Sequence, residues 1–436
     1  MKEQSEIPVS KVQRASKFLK TGAKVGGNYI KYYSKKLVDP ELTKEVLHQD
    51  NASDIYSSLS QLKGSALKVA QMLALDKNLL PGAYQEKFMM AQYSAPPLSF
   101  PLVVKTFQKQ LGQSPLQIFD SFTKKAVNAA SIGQVHQATK AGKTFAVKVQ
   151  YPGVSDSIVS DLKMVKPIAL RMLNLNKNDL EYYLSEVQEK LIEETDYQLE
   201  VERSQWIADQ CGELDNLFFA NYYPEMSSER IITMDWLEGH HLEEFLKTNP
   251  DKQTRDKVGQ ALWDFYHHQI HNLKTVHADP HPGNFLITEE GNVGIIDFGC
   301  VKEIPDDFYN SYFRLINSPK LAQDELMEIF YKLNFLYPDD GEAEIALYVS
   351  VYQQMTELLG RPFHTNEFDF SDAEYFDEIY DIGNKVSQME EFRKSKHPRG
   401  ARDGIYINRT YFGLYQLLHK LGAQIDTGKA VAVAAI

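Results

Sequence analysis

Cysteine is almost missing: the 436 residues hold two, Cys211 and Cys300, far apart in the chain. That excludes a disulfide framework and fits a reducing, cytoplasmic setting. Long apolar runs are missing as well. None approaches the roughly eighteen residues that a bilayer-crossing helix needs, and the closing Ala-Val-Ala-Val-Ala-Ala-Ile is far too short. The first residues lack the apolar core of a secretory leader. Positive charge is in deficit, with 47 Lys and Arg against 59 Asp and Glu for a net charge of −12. A dedicated nucleic-acid binder is thereby excluded. Internal repeats and low-complexity tracts are absent too.

What is present is the composition of a globular protein, 43% hydrophobic and 24% charged, with length enough for two or three domains or lobes. The charge is unevenly spread. Residues 1–36 hold nine Lys or Arg and two Asp or Glu, a local +7 that leaves −19 for the rest. Between 11 and 36 the lysines interleave with Val12, Phe18, Leu19, Tyr29 and Ile30, a pattern suited to an anionic membrane surface. Gly22, Gly26 and Gly27 weaken any long helix there, so a frayed, solvated leader is the competing expectation.

The chemistry concentrates in Val276-His277-Ala278-Asp279-Pro280-His281-Pro282-Gly283-Asn284 and in Gly294-Ile295-Ile296-Asp297-Phe298-Gly299. Two prolines keep the first run out of a helix interior or central strand. The second is a short apolar strand emptying into a turn. Asp279 precedes Asn284 by five residues, and Asp297 follows it by thirteen. That is the spacing of a kinase-type catalytic loop and its metal-binding aspartate. In those roles Asp297 and Asn284 hold Mg²⁺ through oxygen, and Asp279 orients or deprotonates the acceptor. A competing pattern is His277, Asp279 and His281 as ligands of a zinc hydrolase, although zinc needs a further ligand and a polarising partner shell. Histidines bracing the loop are the plainer alternative.

Upstream, residues 51–75 read as one helix capped by Asn51. Ile55, Leu59, Leu62, Ala66, Ala70 and Leu73 share one face; Gly64, Lys68 and Gln71 fall on the other. Residues 128–136 form a small-residue turn entering a strand, and after a Lys140–Lys143 hairpin tip residues 144–150 alternate as a second strand with Lys148 as its sole charge. A lysine so placed can clamp phosphates, or it can be an ordinary residue at a sheet edge. The acidic helical stretch 179–206 offers Glu193, Glu194, Asp196 and Glu200 as its partner. Residues 230–239 read as a strand ending at a bend, the position of a kinase hinge, where the backbone of Met234 and Trp236 can meet adenine. Beyond about residue 305 the chain is helical and acidic, ends in an amphipathic stretch over 406–421, and shows no chemistry of its own.

Four features together resemble the UbiB (AarF, ADCK) family of atypical kinase-like proteins. They are Lys68-Val69-Ala70-Gln71, the alanine-rich loop from Ala129 to His136, Glu194-Thr195-Asp196, and the His-Ala-Asp-Pro-His-Pro-Gly-Asn loop with its Asp-Phe-Gly. The resemblance implies an α+β, two-lobed protein-kinase-like fold with helical N- and C-terminal extensions. The corresponding divisions are a basic leader (1–50), an extension (51–120), an N-lobe (121–238), a C-lobe core (239–320) and a helical C-terminal region (321–436). It implies ATP or ADP with Mg²⁺ as ligands, cradled by Ala129, Ala130, Ser131 and Ile132. Lys68 and Gln71 then act inside the pocket against Glu194 and Asp196, and Lys148 pairs with a helix carboxylate, Glu200 in preference to Glu194. It further implies ATPase or unorthodox kinase activity serving quinone or other prenyl-lipid metabolism at a membrane. Prenyl lipids or quinone precursors and enzymes of lipid biosynthesis are the implied partners. A nucleotide-regulated pseudokinase scaffold and a small-molecule kinase are the alternatives. Two departures stand out: Ala70 replaces the family's glycine, and Asn128 stands where the loop often begins with alanine.

Overall fold

The structure, a computed structural model, describes residues 11–37, 39, 43, 45–62, 97–129, 132–172, 177–318 and 321–428. The chain divides into two compact units. The first comprises Met1–Val201 and Asn221–Trp236, the second Glu202–Ala220 and Leu237–Ile436.

The first unit begins with helix α1 (Lys11–Lys36), packed on α2 (Glu45–Leu62). The three glycines do not interrupt α1, because its order comes from one buried stripe. Arg14, Phe18, Thr21 and Tyr32 are buried at helical spacing, while Gly22, Gly26 and Gly27 have nothing within 4 Å of an added Cβ. Asn51 does not cap a helix as its sequence position suggests. It lies fully buried inside α2, where its side-chain oxygen accepts from Asn28 Nδ2 at 3.1 Å. The continuation of that helix towards residue 75 lies outside the described residues.

Helix α3 (Phe100–Leu111) leads to an antiparallel sheet of β1 (Ser121–Phe122), β2 (Asn128–Ala129), β3 (Gly133–Lys140), β4 (Lys143–Gln150) and, later, β6 (Ile231–Asp235). β3 is flanked by β1, β2 and β4, and β4 lies between β3 and β6. The β3–β4 hairpin turns through Ala141 and Gly142, both at positive φ. β4 does not alternate between core and solvent. Every position from Phe145 to Gln150 is buried, because both faces are covered. Helices α4 (Val154–Met172) and α5 (Lys177–Glu194) follow, and α6 (Tyr197–Cys211) runs from the first unit into the second. The continuous helix expected over 179–206 is thus broken. Thr195 and Asp196 separate α5 from α6, and Asp196 Oδ1 accepts from the N–H groups of Gln198 and Leu199. An aspartate at a helix start competes well with helix continuation because it satisfies orphan backbone donors.

In the second unit β5 (Leu217–Phe219) lies parallel to β9 (Val293–Ile295), which pairs antiparallel with β8 (Phe285–Ile287). A separate ribbon joins β7 (Thr275–His277) to β10 (Val301–Glu303). Helix α7 (Lys252–His267) passes into a π-helical turn, His268–Leu273, just before β7. Helices α8 (Asp306–Asn317), α9 (Glu342–Gly360) and α10 (Arg402–Leu421) complete the helical layer. Fully buried Trp263, Phe265, Tyr266, Tyr348, Tyr406 and Tyr415 make this core unusually aromatic.

Candidate active site

The candidate residues fall in both units. In the first, Lys148 occupies a central strand, opposite Val135 of β3 and Ile232 of β6, so the sheet-edge alternative is excluded. Its ammonium donates to Glu200 Oε1 at 2.6 Å, with both residues buried, and stands 5.2 Å from the Tyr197 ring centroid. Burying two charges is costly, and a 2.6 Å pair in a covered sheet offsets that cost only through good geometry. Glu194, the last residue of α5, is buried as well. Asp196 is exposed and occupied with the start of α6.

The start of β3 is held tightly. A Cβ at Gly133 would stand 2.6 Å from Tyr197 Oη and 2.9 Å from the Val149 carbonyl oxygen, so only glycine fits. Gln134 and His136, side chains of the same motif, point into the core. Gln134 Oε1 accepts from Leu98 N–H at 2.6 Å, and Gln134 Nε2 lies 2.8 Å from His136 Nε2. His136 Nδ1 faces the Thr123 carbonyl at 2.7 Å, which makes Nδ1 the protonated nitrogen. Burial brings its pKa down to about 4. Ile132 is buried, with its carbonyl accepting from Tyr151 N–H. Ala129 pairs with Gln134 in β2; Ala130, Ser131, Lys68 and Gln71 lie outside the described residues. At the end of β6, Met234 is buried opposite Ala146, and Trp236 N–H donates to the Thr144 carbonyl at 3.3 Å. The sheet therefore already uses the backbone donor that adenine could have met at Trp236.

In the second unit, strand register does the assembling. β8 and β9 pair Phe285 with Ile295, so Asn284 and Asp297 leave the same end of that hairpin. Ile296 N–H donates to the Asn284 carbonyl at 3.1 Å. β7 and β10 pair His277 with Val301, and Ala278 N–H donates to the Cys300 carbonyl at 2.8 Å. Asp279 is thereby brought beside the Asp-Phe-Gly turn. Asn284 Nδ2 donates to the Asp279 carbonyl at 2.9 Å, which fixes the other atom of its amide as an acceptor oxygen. Asp297 Oδ1 accepts from Gly299 N–H at 2.8 Å. One carboxylate and one amide oxygen fit Mg²⁺, which keeps most of its shell for water and phosphate oxygens.

Behind the loop the histidines brace it. His277 is fully buried, with Nδ1 3.1 Å from Tyr266 Oη and its backbone N–H donating to Gln269 Oε1. Burial holds the His277 imidazole below its usual pKa against the opposing pull of Asp279 and Asp297. His281 Nδ1 accepts from Gly283 N–H. Among the described residues no three His, Cys, Asp or Glu side chains converge as a metal site, which sets the zinc alternative aside.

One residue of the site escaped the sequence reading. Arg409, from α10, donates to Asp279 Oδ1 at 2.5 Å. The available signal was a charge set next to the buried stripe of Tyr406, Thr410 and Leu414, but its partner lies 130 residues away.

A buried strand lysine paired with a helix carboxylate in one unit, and an Asp–Asn–Asp loop system in the other, define a protein-kinase-like fold. Within that class the chain belongs to the ABC1 atypical kinase-like family, whose domain matches residues 90–328, more than half of its length. The UbiB resemblance agrees with the relatives. The probable serine/threonine-protein kinase abkA of Dictyostelium discoideum is 26% identical over 97% of this chain and 78% of its own. The mitochondrial atypical kinase COQ8 of Saccharomyces cerevisiae is 26% identical over 98% of this chain and 85% of its own. Among solved structures, Mycobacterium tuberculosis Rv3197, determined in complex with erythromycin, matches with a TM-score of 0.56 at 25% identity, covering 91% of this chain and 97% of that one. Among the described residues no helix is long and apolar enough to cross a membrane.

Proposed function

We propose that the protein is a Mg²⁺-dependent ATPase or atypical kinase that binds ATP or ADP and serves quinone or other isoprenoid-lipid biosynthesis at a membrane surface. The observation that carries the nucleotide reading is the register of β7–β10 and β8–β9, which gathers Asp279, Asn284 and Asp297 at adjoining strand ends. Asn284 and Asp297 would hold Mg²⁺, which would supply charge neutralisation for the phosphates. In the first unit Lys148, held by Glu200, is the cation suited to nucleotide phosphates. In transfer, the acceptor oxygen bonds to the γ-phosphorus, the bond to the β-phosphate oxygen breaks, and ADP leaves with that electron pair. Asp279 orients the acceptor and takes its proton.

The lipid and membrane part rests on the family resemblance and on α1. That helix exposes Val12, Leu19 and Ile30 among its lysines, a mixture suited to an anionic bilayer surface. Enzymes of lipid biosynthesis are the proposed protein partners.

Nucleotide titration and phosphate release, measured on the same preparations, test the proposal. Asp297→Asn abolishes Mg²⁺-dependent nucleotide binding, whereas Asp279→Asn binds normally and does not turn over. Wild-type turnover in either variant overturns the assignment. Anionic vesicles carrying a prenylphenol raise wild-type turnover; an unchanged rate removes the membrane role.

A further inference from the structure

The C-terminal helix reaches the catalytic loop at two points. Arg409 pairs with Asp279 at 2.5 Å, the two side chains only 16% and 18% exposed. One turn further along α10, Gly413 lies against the next loop residue. A Cβ built there would stand 2.2 Å from Pro280 Cγ and 2.9 Å from Pro280 Cβ. Real atoms do not approach so closely, so any side chain at 413 would push helix and loop apart. An arginine and a glycine four residues apart thus share one helix face, one gripping the loop and the other admitting it.

The loop supplies no strong cation of its own. Between Asp279 and Asn284 it contains Pro280, His281, Pro282 and Gly283. His281 Nδ1 acts as an acceptor, from Gly283 N–H. Arg409 therefore brings a fixed guanidinium to the acid that must aim the acceptor. A charge-assisted bond to Oδ1 restricts the rotamer of a short side chain, and phosphoryl transfer depends on such positioning more than on covalent help from the protein.

We infer that Arg409 is a positioning residue of the active centre, holding the Asp279 carboxylate in its working orientation, and that α10 is consequently part of the catalytic apparatus. This rests on the nucleotide reading above. It assigns chemistry to a helix whose sequence showed none.

Turnover, Mg²⁺–ADP affinity and melting temperature are measured together for wild type, Arg409→Gln, Arg409→Ala and Arg409→Lys. Loss of aim costs turnover and spares affinity: Arg409→Gln falls by about 100-fold in turnover, while its affinity stays within about threefold. Arg409→Lys recovers part of the loss, since it restores the charge without the planar fork. Guanidinium ion at millimolar concentration raises the turnover of Arg409→Ala and leaves wild type unchanged. Wild-type turnover in Arg409→Gln overturns the inference. So does a loss that lysine and guanidinium both fail to repair and that is matched by lost affinity. If the Gln and Ala variants do not fold, Arg409→Lys decides: lowered turnover at unchanged affinity supports the role, and undiminished turnover overturns it. A wild-type protein without Mg²⁺-dependent nucleotide binding refutes the nucleotide reading itself, a result separable from every outcome in the variants.

Discussion

Buried imidazoles are placed throughout this protein as neutral struts. His136 ties β3 to the Thr123 carbonyl, with its pKa lowered by burial to about 4. His267 and His271, stacked 5.4 Å apart in the second unit, are lowered by burial to about 3 and about 2. Each prefers the neutral form in the folded protein, so the unfolded chain takes up protons first as pH falls below 6.5. Their stabilisation is complete above that value and is lost progressively as pH drops towards each folded-state pKa. For His136 alone the loss by pH 4 is on the order of 3 kcal/mol. Melting temperatures between pH 7.5 and 5 therefore decline on acidification, and His136→Asn has the shallower slope. A melting temperature flat over that range contradicts the neutral-strut role. Residue identities here were legible only in part. The spacing of Asp279, Asn284 and Asp297 lies within nineteen positions and can be read locally. That Gln134 and His136 face inward depends on Thr123 and Leu98, which no local pattern connects to them.

At the scale of elements, tertiary packing overrode local preference in both directions. Three glycines argued against a long N-terminal helix, yet α1 runs unbroken because one stripe is buried against its neighbours. A run of helix formers argued for one helix over 179–206, yet Asp196 caps a new start within it. The strongest tie in the N-terminal layer is Arg14 to Asp161, with Nε–Oδ1 at 2.7 Å and Nη2–Oδ2 at 2.5 Å. Ser157 Oγ also donates to Asp161, and Arg14 Nη1 donates to the Leu62 carbonyl of α2. Removing one partner strands a buried charge, so Arg14→Ala destabilises the protein by about 3–5 kcal/mol. Urea unfolding measures this directly; a change below about 1 kcal/mol, the size of a surface pair, refutes the buried-pair role. The leader is therefore a structural layer of the first unit, whatever surface its outer face meets.

For the whole molecule, the sequence patterns conveyed which residues matter more fully than which segments belong together. The chain passes between the two units three times, and the first division falls inside α6, where composition shows no break. α10 illustrates the same limit. Its amphipathic pattern marked a packed helix, but that Arg409 and Gly413 meet Asp279 and Pro280 follows from how the chain returns on itself. The central proposal is that Mg²⁺-dependent nucleotide binding requires Asp297 of the second unit and, separately, Lys148 with Glu200 of the first. Equilibrium titration of Mg²⁺–ADP into wild type, Asp297→Asn and the double variant Lys148→Met/Glu200→Gln tests it most directly. The double change avoids leaving a buried carboxylate without its cation. The predicted result is Mg²⁺-dependent binding by wild type, weakened at least about tenfold in both variants, or about 1.4 kcal/mol. Wild-type affinity in either one, on folded protein, contradicts it.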